Sequence, residues 1–137
     1  MGNLVYKELS YLVTGLFFNV HKKLGRFCRE RQYCDTLEHY LKETGMIYKR
    51  EVEIKYFNAD SPKGNRIDYL IDHKIIVDIK AKPFITKDDY RQMQRYLQSS
   101  NMELGMIVNF RNVYLKPKRI LNTKLFHSEH SDVYSDH

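Results

Sequence analysis

The chain has 137 residues, 42% of them hydrophobic and 29% charged, with 23 Lys and Arg against 17 Asp and Glu, for a formal net charge of +6. That size suits one soluble, globular domain with a real core. No apolar run approaches the ~18–20 residues that a membrane span needs. The first ten residues lack the apolar stretch of a signal peptide, and Tyr6 breaks the myristoylation pattern that begins at Gly2. The expectation is a cytoplasmic protein with no membrane partner. The basic surplus favours a polyanionic partner, nucleic acid first. Cys28 and Cys34 fit no common zinc spacing and are expected to be reduced thiols, with a Cys/His site including His39 as the lesser alternative.

In chain order, Leu9, Leu12, Val13, Leu16, Phe17, Val20 and Leu24 recur at three- and four-residue steps and predict an amphipathic helix over 4–24, stopped at Gly25. A second helix is predicted from about Arg29 to Thr44, with Tyr33, Leu37, Tyr40 and Leu41 on its apolar face and Gly45 as its stop. The period then changes to two. Val52, Ile54 and Tyr56 alternate with Glu51, Glu53 and Lys55 as a half-buried strand. Asn58 to Asn65 reads as a loop, and 66–71 with 74–81 as a hairpin. A third helix is predicted over 86–99, opened by a capping box of Thr86 and Asp89. Strands over 103–110 and 113–120 follow, the last an edge strand because of Pro117. The order α-α-β-β-β-α-β-β describes a single α/β (α+β) domain over 1–122, a mixed sheet flanked by helices. A polar tail, 123–137, is expected to be disordered, His127, His130 and His137 included.

The hairpin carries the chemistry. Ile75, Val77 and Ile79 share one face of the second strand, and Ile76, Asp78 and Lys80 the other. On the first strand Ile67, Tyr69 and Ile71 are expected on one face, and Arg66, Asp68 and Leu70 on the other. Matching the apolar faces with a three-residue loop, 72–74, pairs Ile71 with Ile75 and Leu70 with Ile76, and so sets Asp68 opposite Asp78. Two facing carboxylates repel. A divalent cation removes that cost, and Mg²⁺ prefers oxygen ligands. Lys80, one pleat on, would orient or help deprotonate a water, or stabilise charge at phosphorus. The competing reading is a structural ion pair between Asp78 and Lys80.

Asp68 followed ten residues later by Asp78-Ile79-Lys80 resembles the PD-(D/E)xK nuclease core. Val20-His21-Lys22-Lys23-Leu24-Gly25 with Glu30-Arg31-Gln32-Tyr33, and Gln92-Met93-Gln94-Arg95-Tyr96-Leu97 further on, resemble the bacterial GxxExxY protein family within that superfamily. The resemblance runs from about residue 5 to 121. It implies a restriction-endonuclease-like fold and a metal-dependent nuclease using Mg²⁺ or Mn²⁺. Glu30, Asp68 and Asp78 would be the metal ligands, Lys80 and Gln92 would complete the catalytic set, and Tyr33 and Tyr96 would support it. Phe27 stands where the family has its first Gly, and Asp78 where it more often has Glu. Without the resemblance, Glu30 reads as favourable charge at a helix start, Tyr33 as core, Tyr96 as a packed ring and Gln92 as a solvated amide.

Lys63, Arg66, Lys82, Lys87, Arg91 and Arg95 cluster around the hairpin and third helix as candidate contacts to nucleic-acid phosphates, DNA or RNA. The expected function is phosphodiester hydrolysis. The alternative is a catalytically inactive nucleic-acid- or protein-binding module on the same fold.

Overall fold

The computed structural model describes residues 4–54 and 66–126. Its elements follow the expected order: α1 (Lys7–Leu24), α2 (Glu30–Thr44), β1 (Tyr48–Glu53), β2 (Arg66–Ile71), β3 (Ile75–Lys80), α3 (Lys87–Ser100), β4 (Leu104–Asn109) and β5 (Lys118–Leu121). The five strands form one sheet in the order β1-β2-β3-β4-β5. All neighbours are antiparallel except β3 and β4, which run parallel and are joined by α3.

Each helix ends where local chemistry stops it. Gly25 adopts φ 75° and its N–H reaches the His21 carbonyl, and Gly45 closes α2 at φ 69°. Thr86 caps α3 in a reciprocal box with Asp89, as its sequence predicts. The buried stripe of α1 is Val13, Leu16, Phe17 and Val20, whereas Leu12, expected on that face, is 57% exposed.

The helices sandwich the sheet. Alpha-helices α1 and α2 pack on one face, against Tyr69, Ile71, Ile75, Val77, Ile79, Leu104, Met106 and Val108. Helix α3 covers the other face, with Tyr90, Met93, Tyr96 and Leu97 against Ile76, Ile107 and Ile120. Strand β4 is buried along its whole length, as expected of a central strand enclosed on both faces. Two boundaries differ from expectation. The last strand begins only at Lys118, because Pro117 has no N–H for the ladder. Strand β1 begins at Tyr48, earlier than the Val52–Tyr56 alternation suggested, and Tyr56 lies outside the described residues.

Residues 123–126, assigned to the tail on sequence grounds, are tied to the domain. Thr123 N–H donates to the Gln94 side chain at 3.1 Å, and the N–H groups of Leu125 and Phe126 reach the Asn122 carbonyl at 3.0 Å. The rest of the expected tail, with its three histidines, lies outside the described residues.

Candidate active site

The hairpin register is the one its sequence implies: Ile71 pairs with Ile75, Leu70 with Ile76 and Tyr69 with Val77. Asp72 and His73 both take positive φ (52° and 55°), and the Lys74 N–H closes the turn on the Ile71 carbonyl at 2.9 Å. The backbone ladder stops at Tyr69 and Val77, so the expected Asp68–Asp78 pair is not part of it. Beyond it, the Asp68 carboxylate accepts the Ile79 N–H at 2.6 Å, taking the place of a backbone acceptor.

Asp68 is also where β2 changes face, and this corrects the expected alternation. Tyr69 and Ile71 join the α1/α2 core, but Ile67 joins the α3 core. Strand β1 does the same. Tyr48 packs with α1/α2, Val52 and Ile54 pack with α3, and between them Glu51 adopts φ 54°, a costly conformation for a side chain without a glycine's freedom. Register puts Glu51 beside Asp68, the one position skipped in the β1–β2 pairing. The break therefore crosses two strands at one level, opening the sheet where the acids sit. A cavity of about 620 Å³ reaches Asp68 at this level, lined by Glu30, Arg31, Cys34, Asp35, Glu38, Arg50 and Glu51.

Asp78 and Lys80 project towards α3, as strand alternation requires. Lys80 Nζ lies 3.2 Å from Asp78 Oδ2 and 3.8 Å from Asp89 Oδ1. Lys82 Nζ lies 2.6 Å from Asp89 Oδ2. Asp78 is 8% exposed, and its Oδ2 is the buried oxygen without a well-formed hydrogen bond among the described residues. Its proximity to Lys80 is thus an ion contact with poor hydrogen-bond geometry. A buried carboxylate oxygen left in that state is costly unless something else binds it.

Electrostatics separate the groups. Burial first, then the nearby Asp78 charge, pushes the Asp68 carboxyl up to about 7, against the pull of the Ile79 N–H. Burial also raises Glu30; Lys80 opposes the rise and Asp78 adds to it. Burial disfavours the Lys80 ammonium, but Asp78, Asp89 and Glu30 outweigh it and raise its pKa. At Asp89 burial is again overcome, here by Lys82, Thr86 and Lys80, and the carboxyl is held below its usual range.

The other expected residues fall at different distances from this centre. Glu30 opens α2 and lines the same cavity as Asp68, with its residue exposed at the rim. Tyr96 is buried on α3; burial, then the Asp78 charge, pushes its hydroxyl up to about 12. Gln92, one turn earlier, is half-buried. Tyr33 serves elsewhere. Its hydroxyl donates to the Gly25 carbonyl at 2.7 Å and accepts the Cys28 N–H at 3.1 Å, while its ring stacks on Phe110 at 4.4 Å. It braces the α1–α2 turn.

Of the basic residues, Lys82 pairs with Asp89 at 2.6 Å and Arg91 with Asp88 at 2.8 Å. Arg66, Lys87 and Arg95 are exposed, and Lys63 lies outside the described residues.

Sequence reasoning missed Asp89 as a site residue, because its capping role accounted fully for its presence. It also missed Asn109, whose side chain donates to the Lys82 carbonyl at 2.7 Å and accepts the Lys82 N–H at 3.1 Å. That pair of bonds holds the chain just beyond Lys80. No sequence signal marks it, since β3 and β4 meet only in the sheet.

The donors around Asp68 and Asp78 are oxygens, which suit a hard divalent cation, and Asp78 Oδ2 lacks a hydrogen-bond donor. Among the described residues, however, no group of three or more His, Cys, Asp and Glu side chains is placed to hold an ion. Glu30, on a separate helix at the cavity rim, is not grouped with the two aspartates at ligand distance, though their charges act on one another. The two thiols are free, and burial, followed by the Asp68 charge, pushes Cys34 up to about 12, which makes it a poor ligand.

The sequence profile described as the PD-(D/E)XK nuclease superfamily matches residues 7–120, which takes in every helix and all but the last residue of β5. No curated protein and no solved structure matches the chain.

Proposed function

The chain belongs to the PD-(D/E)XK nuclease superfamily, and we propose on that premise that it hydrolyses phosphodiester bonds of DNA or RNA with the help of Mg²⁺ or Mn²⁺. The observation that carries this reading is the buried Asp78 carboxylate, whose Oδ2 has only a poorly aligned ion contact with Lys80 at 3.2 Å, beside an Asp68 whose carboxyl is raised by burial and then by the Asp78 charge. A purely structural ion pair is expected to satisfy its oxygens, whereas Asp78 Oδ2 has only the Lys80 ion contact.

Asp68 and Asp78 would hold the cation, with Glu30 at the cavity rim as the third carboxylate. When bound, a divalent cation polarises a phosphoryl oxygen and lowers the pKa of a coordinated water. Lys80 is held protonated, so its part is to donate to a water or to the phosphate oxygens rather than to accept a proton. Asp89 and Asn109 fix Lys80 and the backbone after it. Gln92, half-buried on the same helix as Tyr96, is assigned to orient water or phosphate. The narrower placement in the GxxExxY branch rests on residues 20–33 and 92–97.

The test is cleavage of single- and double-stranded DNA and RNA with Mg²⁺ or Mn²⁺. Asp78→Ala and Lys80→Ala are each expected to lose at least about 100-fold in rate. A wild type that cleaves nothing, or variants that cleave equally, would overturn the reading. One observation favours a second reading, a binding module without turnover: no three-ligand cluster forms among the described residues. Salt-sensitive binding that survives Asp78→Ala and needs no metal, without cleavage, would select it.

A further inference from the structure

Phe27 is 76% exposed in the turn between α1 and α2, an unfavourable place for a large apolar ring. Two guanidiniums attend it, Arg26 at 4.7 Å and Arg111 at 5.8 Å from the ring centroid. Both are fixed by backbone carbonyls. Arg26 Nε donates to the Arg111 carbonyl at 2.8 Å, Arg111 Nε donates to the Arg26 carbonyl at 3.2 Å, and Arg111 Nη2 donates to the Ala81 carbonyl at 3.2 Å. Neither forms an ion pair with a carboxylate among the described residues. Two like charges are thus pinned beside one exposed aromatic ring, with no carboxylate paired to either among the described residues.

The turn is joined to the site along the chain and through the Arg111–Ala81 hydrogen bond. Ala81 directly follows Lys80, and α2 begins at Glu30, three residues after Phe27. Two more loops at the carboxyl ends of β3 and β4 expose aromatic rings, Phe84 at 78% and Tyr114 at 81%.

We propose that Phe27, with Arg26 and Arg111, is a stacking platform for an unpaired nucleobase, the two guanidiniums taking the flanking phosphates. This rests on the nucleic-acid reading above and narrows it to substrates with a single-stranded segment. Guanidinium forks match phosphate oxygens, and an exposed ring offers every base the same π-face. Bases paired within a duplex have their faces covered by neighbours and cannot use such a ring.

The experiment is equilibrium binding by fluorescence anisotropy in EDTA, so that turnover plays no part. The probes are short DNA and RNA strands, the same strands with abasic sites, and a blunt duplex. The wild type is expected to prefer the intact strands. Phe27→Ala should weaken that binding about tenfold and Phe27→Trp should restore it, with neither changing binding to abasic strands. Arg26→Ala should weaken intact and abasic strands alike. Thermal melting should leave Phe27→Ala unshifted, since the ring is exposed. Equal binding by wild type and Phe27→Ala on both DNA and RNA, or a preference for the blunt duplex, overturns the platform. Cleavage with Mg²⁺ is scored separately. A nuclease on duplex indifferent to Phe27 sinks only this inference, and stacking without cleavage sinks only the catalytic one.

Discussion

Asp68 is poised in two ways, as an acceptor for the Ile79 N–H and as a carboxyl raised to about 7 by burial and by Asp78. A carboxyl whose folded pKa lies above its unfolded value binds protons more tightly in the native state. Its contribution therefore favours folding at low pH and is lost as pH rises through about 7. Asp68→Asn keeps an oxygen for the Ile79 N–H and removes the repulsion. It should raise unfolding stability by about 1–2 kcal/mol around pH 8, after allowing for solvent screening, and by progressively less towards about pH 5. Urea unfolding across that range measures it, and no change around pH 8 would contradict the assignment. By the same linkage, calorimetric Mn²⁺ affinity should rise with pH up to about 7 and level off above it, since ligation needs the ionised carboxyl. At this scale Asp78 and Lys80 stood out because they interrupt an otherwise β-branched strand, and Asp68 through the hairpin pairing expected of it. Asp89 was not. A residue that already satisfies a helix cap gives no hint of a second partner until Lys80 and Lys82 are brought beside it.

Among the elements, the α1–α2 turn and the α3–β4 contact each carry a testable constraint. The Tyr33 hydroxyl serves both Gly25 and Cys28, so Tyr33→Phe leaves a carbonyl and an N–H unserved. It should cost about 1–2 kcal/mol in unfolding free energy. If it acts only as a brace, the cleavage or binding rate per folded molecule should hold. Gly105 is dictated by packing rather than by backbone angle: an added Cβ would fall on the Met93 sulfur. Gly105→Ala should destabilise by about 1–3 kcal/mol, and combining it with Met93→Ala should cost less than the two single changes summed. Thermal melts of the three variants test this. The helices and the hairpin register followed from periodicity and turn chemistry, which act within a few residues. The face switch at Glu51 and Asp68 did not, because alternation within a strand assumes an unbroken pleat, and the break depends on which helix each end of the strand meets.

Across the whole molecule, the charge of +6 joins a site whose Asp78 and Asp89 are buried and whose half-buried Arg26 and Arg111 form no ion pair among the described residues. Nucleic-acid binding should weaken steeply with salt, by counterion release, and anisotropy titrations over a range of ionic strength test it. A salt-independent affinity would argue against phosphate contacts. Among the described residues no helix is long and apolar enough to cross a membrane. The sequence by itself determined the element order and the hairpin register from Ile71–Ile75 to Tyr69–Val77, because each rests on local periodicity or on a short turn. Only the tertiary structure decided that Asp68 caps a broken ladder, that Asp89 and Asn109 hold the lysine end of the site, that Glu30 stays at the rim, and that an exposed Phe27 lies close to two arginines. Those depend on contacts between segments dozens of residues apart. Packing of α1 and α2 on one face of the sheet and α3 on the other sets them, and no local pattern in the chain records it.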